Sequence, residues 1–217
     1  MREIKTVALI GLGAIGCSIA RELRQAVGRE NFRVIADGER AARIAQGVEI
    51  NGESCCFDTV SPAAQTGPAD LVIVAVKYLA LPQAIEDMRG QIGPDTMILS
   101  FLNGVDSEAK IAAVYGWEHM LYGLVRRSIV KEGSRCIFDA WGTYYFGEKT
   151  NDVRSERVQA VCNLFDRAGL HWEVPRDMVR DQWVKFMANI SENQSSAILG
   201  IPYGAWQVEG SDANWVR

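Results

Sequence analysis

The chain has 217 residues, of which 48% are hydrophobic and 23% are charged, and its formal net charge is −4. This composition excludes a disordered, collagen-like or low-complexity protein, because it holds enough apolar residues to bury a core. The acidic balance argues against a nucleic-acid partner, since phosphates attract clustered Lys and Arg. Every apolar run falls short of the roughly 20 residues of a membrane span, so we expect no membrane partner either.

The cysteine pattern favours reduced thiols. The chain has five cysteines, which are Cys17, Cys55, Cys56, Cys136 and Cys162. The sequence has no Cys-x-x-Cys pair and no Cys/His cluster, so it shows no zinc ligand set and we expect no metal. Free thiols are typical of a cytoplasmic protein, because reducing compartments disfavour disulfides.

Strand and helix patterns alternate at short spacing in the first half of the chain. Apolar runs typical of buried strands lie at 5–10, 32–36, 71–76 and 96–101. Helical patterns follow these runs at about 14–27, 40–46, 79–88 and 107–114. This alternation predicts an α/β fold with a parallel sheet.

The pattern is less regular towards Pro175. Strand-forming residues are frequent over 136–147, and an amphipathic helical pattern covers 156–168. Residues 170–174 form a further candidate strand, and Pro175 then marks a boundary.

Residues 178–199 contain neither Pro nor Gly, which predicts one long helix. The residues predicted to end it are Gly200, Pro202 and Gly204. We therefore expect two domains, a Rossmann-type parallel-sheet domain over 1–176 and the start of an all-α second domain over 177–217.

A glycine-rich turn joins the first predicted strand to the first predicted helix. It has the G-x-G-x-x-G form, and its residues are Gly11, Leu12, Gly13, Ala14, Ile15 and Gly16. The first glycine permits the tight turn, the second lets a pyrophosphate approach the backbone, and the third lets the helix pack on the strand. The helix N-terminus offers its N–H groups to the phosphates. This context predicts that the turn binds a dinucleotide.

Charged residues after the second strand bear on the choice of cofactor. Asp37 stands where an acid accepts the ribose 2′-OH of NAD. Arg40 and Arg43 follow at helical spacing and could instead hold the 2′-phosphate of NADP. The two signals conflict, and a solvated loop with ordinary surface charges is the alternative.

Two polar residues follow the next predicted strands. Lys77 comes after the run over 71–76, and Asn103 after the run over 96–101. Taken alone, the first is typical of a surface lysine and the second, before a glycine, of a turn. Their shared position beyond the carboxyl ends of strands favours a role in ligand binding.

Lys185, Asn189 and Asn193 are spaced i, i+4, i+8 on the predicted long helix, which places them on one stripe. A partly buried lysine, with its pKa lowered by desolvation, can deliver a proton to the alkoxide that forms when a ketone accepts a hydride. Asparagine amides can orient a polar substrate without adding charge. Helical spacing alone favours the alternative, a solvated face whose asparagines contact water.

The order of these motifs resembles the ketopantoate reductase (2-dehydropantoate 2-reductase) family. The resemblance rests on GLGAIG over 11–16, on Lys77, on NGVDSE over 103–108 and on WVKFMANISENQSSAILGIPYG over 183–204. It implies a Rossmann-type domain, a helical second domain, and NADPH as the usual cofactor, with NAD(H) as the alternative. The implied reaction is the reduction of 2-dehydropantoate, or of a related 2-keto acid, on the route to pantothenate and coenzyme A.

The resemblance also implies residue roles. Lys185 would be the general acid, while Asn189 and Asn193 would face the substrate. Lys77 and Asn103 would meet the cofactor and the substrate side of the cleft. The residues left for the cofactor are Gly11, Gly13 and Gly16 at the pyrophosphate and Asp37 and Arg40 at the adenine ribose.

The chain departs from the family pattern in two ways. Tyr203 stands where family members commonly have an asparagine, so the substrate could be a different 2-keto acid. Family members are also longer, and we expect this chain to be truncated at its C-terminus. An exposed apolar helix face would result, and it predicts a homodimer formed through that helix.

Two other functions remain open. The chain could be a non-catalytic dinucleotide-binding module that acts as a sensor or interaction protein, which needs only the glycine turn. It could also be a different β-hydroxy acid dehydrogenase-like oxidoreductase, although the paired Asn189 and Asn193 fit that class less well.

Overall fold

The computed structural model describes residues 3–201. The strands are β1 (Val7–Ile10), β2 (Phe32–Ile35), β3 (Val48–Ile50), β4 (Glu53–Cys55), β5 (Thr59–Val60), β6 (Leu71–Val74), β7 (Met97–Ser100), β8 (Met120–Arg126), β9 (Ile129–Glu132), β10 (Arg135–Phe138), β11 (Thr143–Gly147) and β12 (Trp172–Glu173). The helices are α1 (Ala14–Val27), α2 (Gly38–Ala45), α3 (Leu81–Asp87), α4 (Ser107–Tyr115), α5 (Glu156–Arg167), α6 (Met178–Ala188) and α7 (Gln194–Leu199).

The main sheet has eight strands in the order β12-β11-β8-β7-β6-β1-β2-β5. Neighbouring strands run parallel, except that β8 and β11 are antiparallel. This confirms the predicted α/β fold with an N-terminal parallel sheet. The antiparallel pair extends the sheet beyond the strands predicted in the first half of the chain.

The central strands are buried on both faces, as their continuous apolar runs predicted. Alternate residues of β1 enter different cores, because successive side chains of a strand point to opposite faces. Val7 and Leu9 belong to one core, which also contains buried residues of α1 and α5. Ala8 and Ile10 belong to the other, which contains buried residues of α3 and α4. Helices therefore cover both faces of the sheet.

A second, four-stranded sheet, in the order β4-β3-β10-β9, was not predicted. It contacts α1 through β3, β9 and β10, and Ile50 and Cys136 join the same core as the helix. Its strands have at most four residues, too few for a clear alternation. One signal was present, since Asn51-Gly52 joins β3 to β4 with positive φ at both residues, as two-residue hairpins require.

The predicted long helix is interrupted. It begins at Met178, where the side chain of Asp177 accepts a hydrogen bond from the backbone N–H of Arg180. A π-helical segment over Asn189–Asn193 separates α6 from α7, and Gly200 ends α7 in the left-handed conformation. The other two residues predicted to end the helix, Pro202 and Gly204, lie outside the described residues. The division into 1–176 and 177–217 stays a prediction.

Within residues 3–201, helices long and apolar enough to cross a membrane are absent. Over the same residues, His, Cys, Asp and Glu side chains form no group of three that could hold a metal ion.

Candidate functional site

Several of the predicted site residues follow four adjacent strands of the main sheet. In the sheet, β7, β6, β1 and β2 are neighbours in that order and all run parallel, so their carboxyl ends meet at one edge. The residues placed at this edge are Asn103 after β7, Lys77 after β6, the glycine turn after β1 and Asp37 after β2. The chain moves from β1 to β2 on one side and returns to β6 on the other, so the glycine turn lies at the switch point where such sheets bind ligands.

The glycine turn requires its first and third glycines. Gly11 has φ +96°, and a Cβ there would lie 2.6 Å from the carbonyl oxygen of Ala75. A Cβ on Gly16 would overlap the carbonyl oxygen of Gly11, because α1 crosses the turn at close range. These two positions exclude any side chain.

The start of α1 offers a place for an anion. Gly13 is the N-cap and brings no side-chain cap, and the first turn of the helix has no acidic residue. A Cβ on Gly13 would have only the carbonyl oxygen of Ala75 within 4 Å, at 3.8 Å, so the space beside it is open. Leu12, Ala14 and Ile15 are partly buried along the turn. Backbone N–H groups and the helix dipole are what phosphates bind at such sites.

The charges after β2 form a small network. A guanidinium nitrogen of Arg40 lies 3.6 Å from Oδ1 of Asp37 and 3.2 Å from Oδ2 of Asp87. Asp87 is buried and also accepts a hydrogen bond from Gln83 at 2.8 Å. Arg43 is exposed on the same helix as Arg40. Asp37, which would favour NAD, and Arg40, which would favour NADP, therefore lie side by side.

Lys77 is exposed and directly precedes a 3₁₀ turn over Tyr78–Ala80. Next to it, the hydroxyl of Tyr78 donates to Oδ2 of Asp106 at 2.6 Å, and Lys110 contacts both groups. Tyr78, Asp106 and Lys110 are not among the predicted site residues. This cluster ties the segment after Lys77 to the start of α4.

Lys185 meets Asn103 across the edge of the sheet. Its ammonium Nζ donates a hydrogen bond of 2.9 Å to Oδ1 of Asn103. The lysine is half-buried, and this burial, together with repulsion from Arg126 at the end of β8, lowers its pKa to about 8. An amine with this pKa can both hold and release a proton near neutral pH.

Asn189 and Asn193 lie at the ends of the π-helical segment. Nδ2 of Asn193 donates to Oδ1 of Asn189 at 3.4 Å, so the two amides are adjacent. The wider turn rotates Asn193 from its predicted α-helical position, and such segments are frequent at functional sites. Tyr203, the predicted departure in the substrate pocket, lies outside the described residues.

A buried pair of polar residues close to this site was not predicted from the sequence. Nε2 of Gln182, on α6, donates to Oε1 of Glu108, on α4, at 2.6 Å. Glu108 is part of the NGVDSE motif, but its position there gave no indication of a partner in α6.

Known proteins resemble this chain in sequence and in fold. A 2-dehydropantoate 2-reductase of Streptococcus pyogenes serotype M3 is 26% identical over 205 residues, which cover 91% of this chain and 66% of that protein. The chain thus spans about two thirds of that relative's length.

Two solved structures show the same fold. A 2-dehydropantoate 2-reductase from Geobacter metallireducens GS-15 has a TM-score of 0.82 and 22% identity, over 97% of this chain and 71% of the other. A D-mandelate dehydrogenase in complex with NADH has a TM-score of 0.80 and 18% identity, over 97% of this chain and 69% of the other.

The sequence profile of a family described as ketopantoate reductase PanE/ApbA matches residues 7–151, from the first strand of the sheet to beyond β11. This span is most of the chain and includes the glycine turn, Lys77 and Asn103. The chain therefore belongs to the ketopantoate reductase PanE/ApbA family.

Proposed function

We propose that the chain is an NADP(H)-dependent oxidoreductase that reduces 2-dehydropantoate, or a related 2-keto acid, to the 2-hydroxy acid on the route to pantothenate and coenzyme A. The observation that carries this proposal is the contact between Lys185 and Asn103 at the edge of the sheet. It places a lysine with a lowered pKa beside the edge where the dinucleotide would lie.

The glycine turn fits the pyrophosphate of a dinucleotide. Gly11 and Gly16 have no room for side chains, and Gly13 opens onto free space at the start of α1. Leu12, Ala14 and Ile15 would line the turn, and Lys77 would lie along the cofactor.

Arg40 favours NADP(H), because its guanidinium can bind a 2′-phosphate, while Asp37 beside it can accept a ribose hydroxyl from NAD(H). The structural relative with NADH is a reason to keep NAD(H) as the alternative.

When bound, the reduced nicotinamide supplies the hydride that reaches the keto carbon. Lys185 then donates its proton to the carbonyl oxygen, which gains the electron pair of the C=O bond and becomes the hydroxyl. Asn103 holds the ammonium in place through its Oδ1 atom. Asn189 and Asn193 would orient the polar substrate through their amides, and Asn103 would also contact it.

The exposed face of α6 and α7 supports a second part of the proposal, a homodimer. Apolar side chains that are between 42% and 82% exposed on these helices and the segment between them are Trp183, Val184, Met187, Ile190, Ile198 and Leu199. Such a face is a liability in water unless a partner covers it. Light scattering at micromolar concentration tests this part, and a monomer would contradict it.

The catalytic proposal is tested by incubating the protein with NADPH or NADH and with 2-dehydropantoate or another 2-keto acid. Oxidation of the cofactor is measured as the loss of nicotinamide absorbance. Fluorescence titration of both cofactors runs alongside. Turnover with at least one 2-keto acid supports the reductase. Cofactor binding without turnover supports the alternative, a non-catalytic dinucleotide-binding module. Absence of both would contradict the whole proposal.

A further inference from the structure

Gln182 is a buried polar residue of α6 that contacts the main sheet. Apart from Met178, Gln182 is the buried residue of this helix, at 5% exposure. Its Nε2 atom donates to Oε1 of Glu108 at 2.6 Å and to the carbonyl oxygen of Gly123 at 3.1 Å. Because the carbonyl of Gly123 can only accept, this orientation of the amide follows from the contacts themselves.

Glu108 is a carboxyl group inside the protein, at 2% exposure. The hydroxyl of Ser107 donates to its Oε2 at 2.9 Å, and the backbone N–H of Gly123 approaches Oε1 at 3.4 Å. Together with Gln182 these are neutral donors, and burial raises the pKa of the Glu108 carboxyl. A buried carboxyl group without hydrogen-bond partners lowers the stability of the folded protein. The contacts of Glu108 with Gln182 therefore favour one placement of α6.

The same two stretches of chain also form the candidate catalytic contact. Gln182 stands three residues before Lys185, so the two side chains lie on neighbouring positions of one helix face. Glu108 stands five residues after Asn103, at the start of α4. Two bridges thus join α6 to the segment 103–108, one buried through Gln182 and one at the edge through Lys185.

We propose that Glu108 and Gln182 are positioning residues for Lys185: their buried bridge sets the rotation of α6 that turns the lysine towards Asn103 and the cofactor edge. Both side chains are buried, so they would act on the reaction through the placement of α6. Without the bridge, the helix can rotate and the ammonium of Lys185 moves towards water. The catalytic part of this inference rests on the proposed function, but the placement of Lys185 does not.

The first readout therefore needs no turnover. The pKa of Lys185 is measured by competitive acetylation across a pH series, with the modified peptide quantified by mass spectrometry. The charge of Arg126 also lowers the pKa of Lys185, so this arginine is kept in every variant. We expect Gln182→Ala and Glu108→Ala to raise this pKa from about 8 towards the ordinary value for lysine.

Glu108→Gln is the conservative variant. Its amide oxygen can still accept from Gln182 and Gly123, and its amide nitrogen can donate to Ser107, so we expect the pKa of Lys185 to stay as in the parent protein. Arg180→Ala, on the exposed side of α6, is the matched control and should also leave that pKa unchanged.

The second readout is kinetic. Where the parent protein turns over, Gln182→Ala should lower kcat by about 10- to 100-fold, as a misplaced catalytic group does, and leave the Kd for NADPH unchanged. Folded Gln182→Ala and Glu108→Ala proteins with an unchanged pKa of Lys185 would overturn the inference. If the alanine variants fail to fold, Gln182→Met replaces them, because methionine fills a similar volume without a hydrogen-bond donor. A raised pKa of Lys185 in this variant would support the inference, and an unchanged pKa would overturn it. A parent protein without turnover refutes the proposed function alone, because the labelling experiment still decides the placement.

Discussion

Nζ of Lys185 lies 2.9 Å from Oδ1 of Asn103, although 82 positions of the sequence separate the two residues. The contact joins a helix that follows the main sheet to the loop after one of its central strands. It brings the candidate general acid to the edge where the glycine turn and Lys77 also lie.

Lys185→Ala removes the proposed proton donor. We expect kcat for reduction to fall by about 10²- to 10⁴-fold, the usual contribution of general acid catalysis, with the Kd for NADPH changed less than about threefold. Steady-state kinetics and fluorescence titration measure the two quantities. Lys149→Ala, at an exposed lysine, is the control. An unchanged kcat in the Lys185 variant would end the assignment.

The pH dependence of the reaction should follow the pKa of Lys185, which burial and Arg126 lower to about 8. Reduction needs the protonated amine, so kcat/KM should be level below this pH and fall as pH rises through it. Oxidation of the hydroxy acid needs the neutral amine and should rise over the same range. Arg126→Gln removes a repelling charge and should move both profiles to higher pH. Profiles that are flat between pH 7 and about pH 9 would contradict the role of this lysine.

Gly13→Ala and Gly16→Ala separate ligand binding from folding. A Cβ on Gly13 would approach the protein only to 3.8 Å, so this variant should fold normally but weaken NADPH binding by about tenfold or more, because the methyl group blocks the pyrophosphate. A Cβ on Gly16 would overlap the backbone of Gly11, and we expect a loss of about 3 kcal/mol or more in the free energy of unfolding. Thermal denaturation and cofactor titration distinguish the two. A Gly13 variant that binds NADPH like the parent protein would place the pyrophosphate elsewhere.

Arg40 and Asp37 should control the cofactor preference in opposite directions. Arg40→Ala removes a partner for the 2′-phosphate and should weaken NADPH by about 10- to 100-fold relative to NADH. Asp37→Ala removes a carboxylate 3.6 Å from that guanidinium and should shift the preference towards NADPH. The ratio of the two Kd values is the measurement, and Arg89→Ala, at an exposed arginine, is the control. An equal loss of both cofactors in Arg40→Ala would argue against a contact with the 2′-phosphate.

The parallel strands and the first helix could be predicted from the sequence, whereas the four-stranded sheet could not. The helix predicted at about 14–27 is α1, with the same ends, and the four predicted strands of the first half correspond to β1, β2, β6 and β7. Their signals are local, because a buried parallel strand is an uninterrupted apolar run and a glycine turn is a fixed spacing. The four-stranded sheet escaped prediction because β3 pairs with β10 across a long stretch of chain, and short strands carry little periodicity.

The candidate site shows the same difference. The amino-acid sequence by itself determined the glycine turn over 11–16, since the positive φ of Gly11 and the close approach of Gly16 to Gly11 are local. The carbonyl oxygen of Ala75, which also excludes a side chain at Gly11, comes from the tertiary structure. Only the tertiary structure decided that Lys185 meets Asn103, that Gln182 lies against Glu108 and that the pKa of the lysine falls. A pKa depends on which groups exclude water from the amine and which charges approach it. Those neighbours come from distant parts of the chain, and packing alone brings them together.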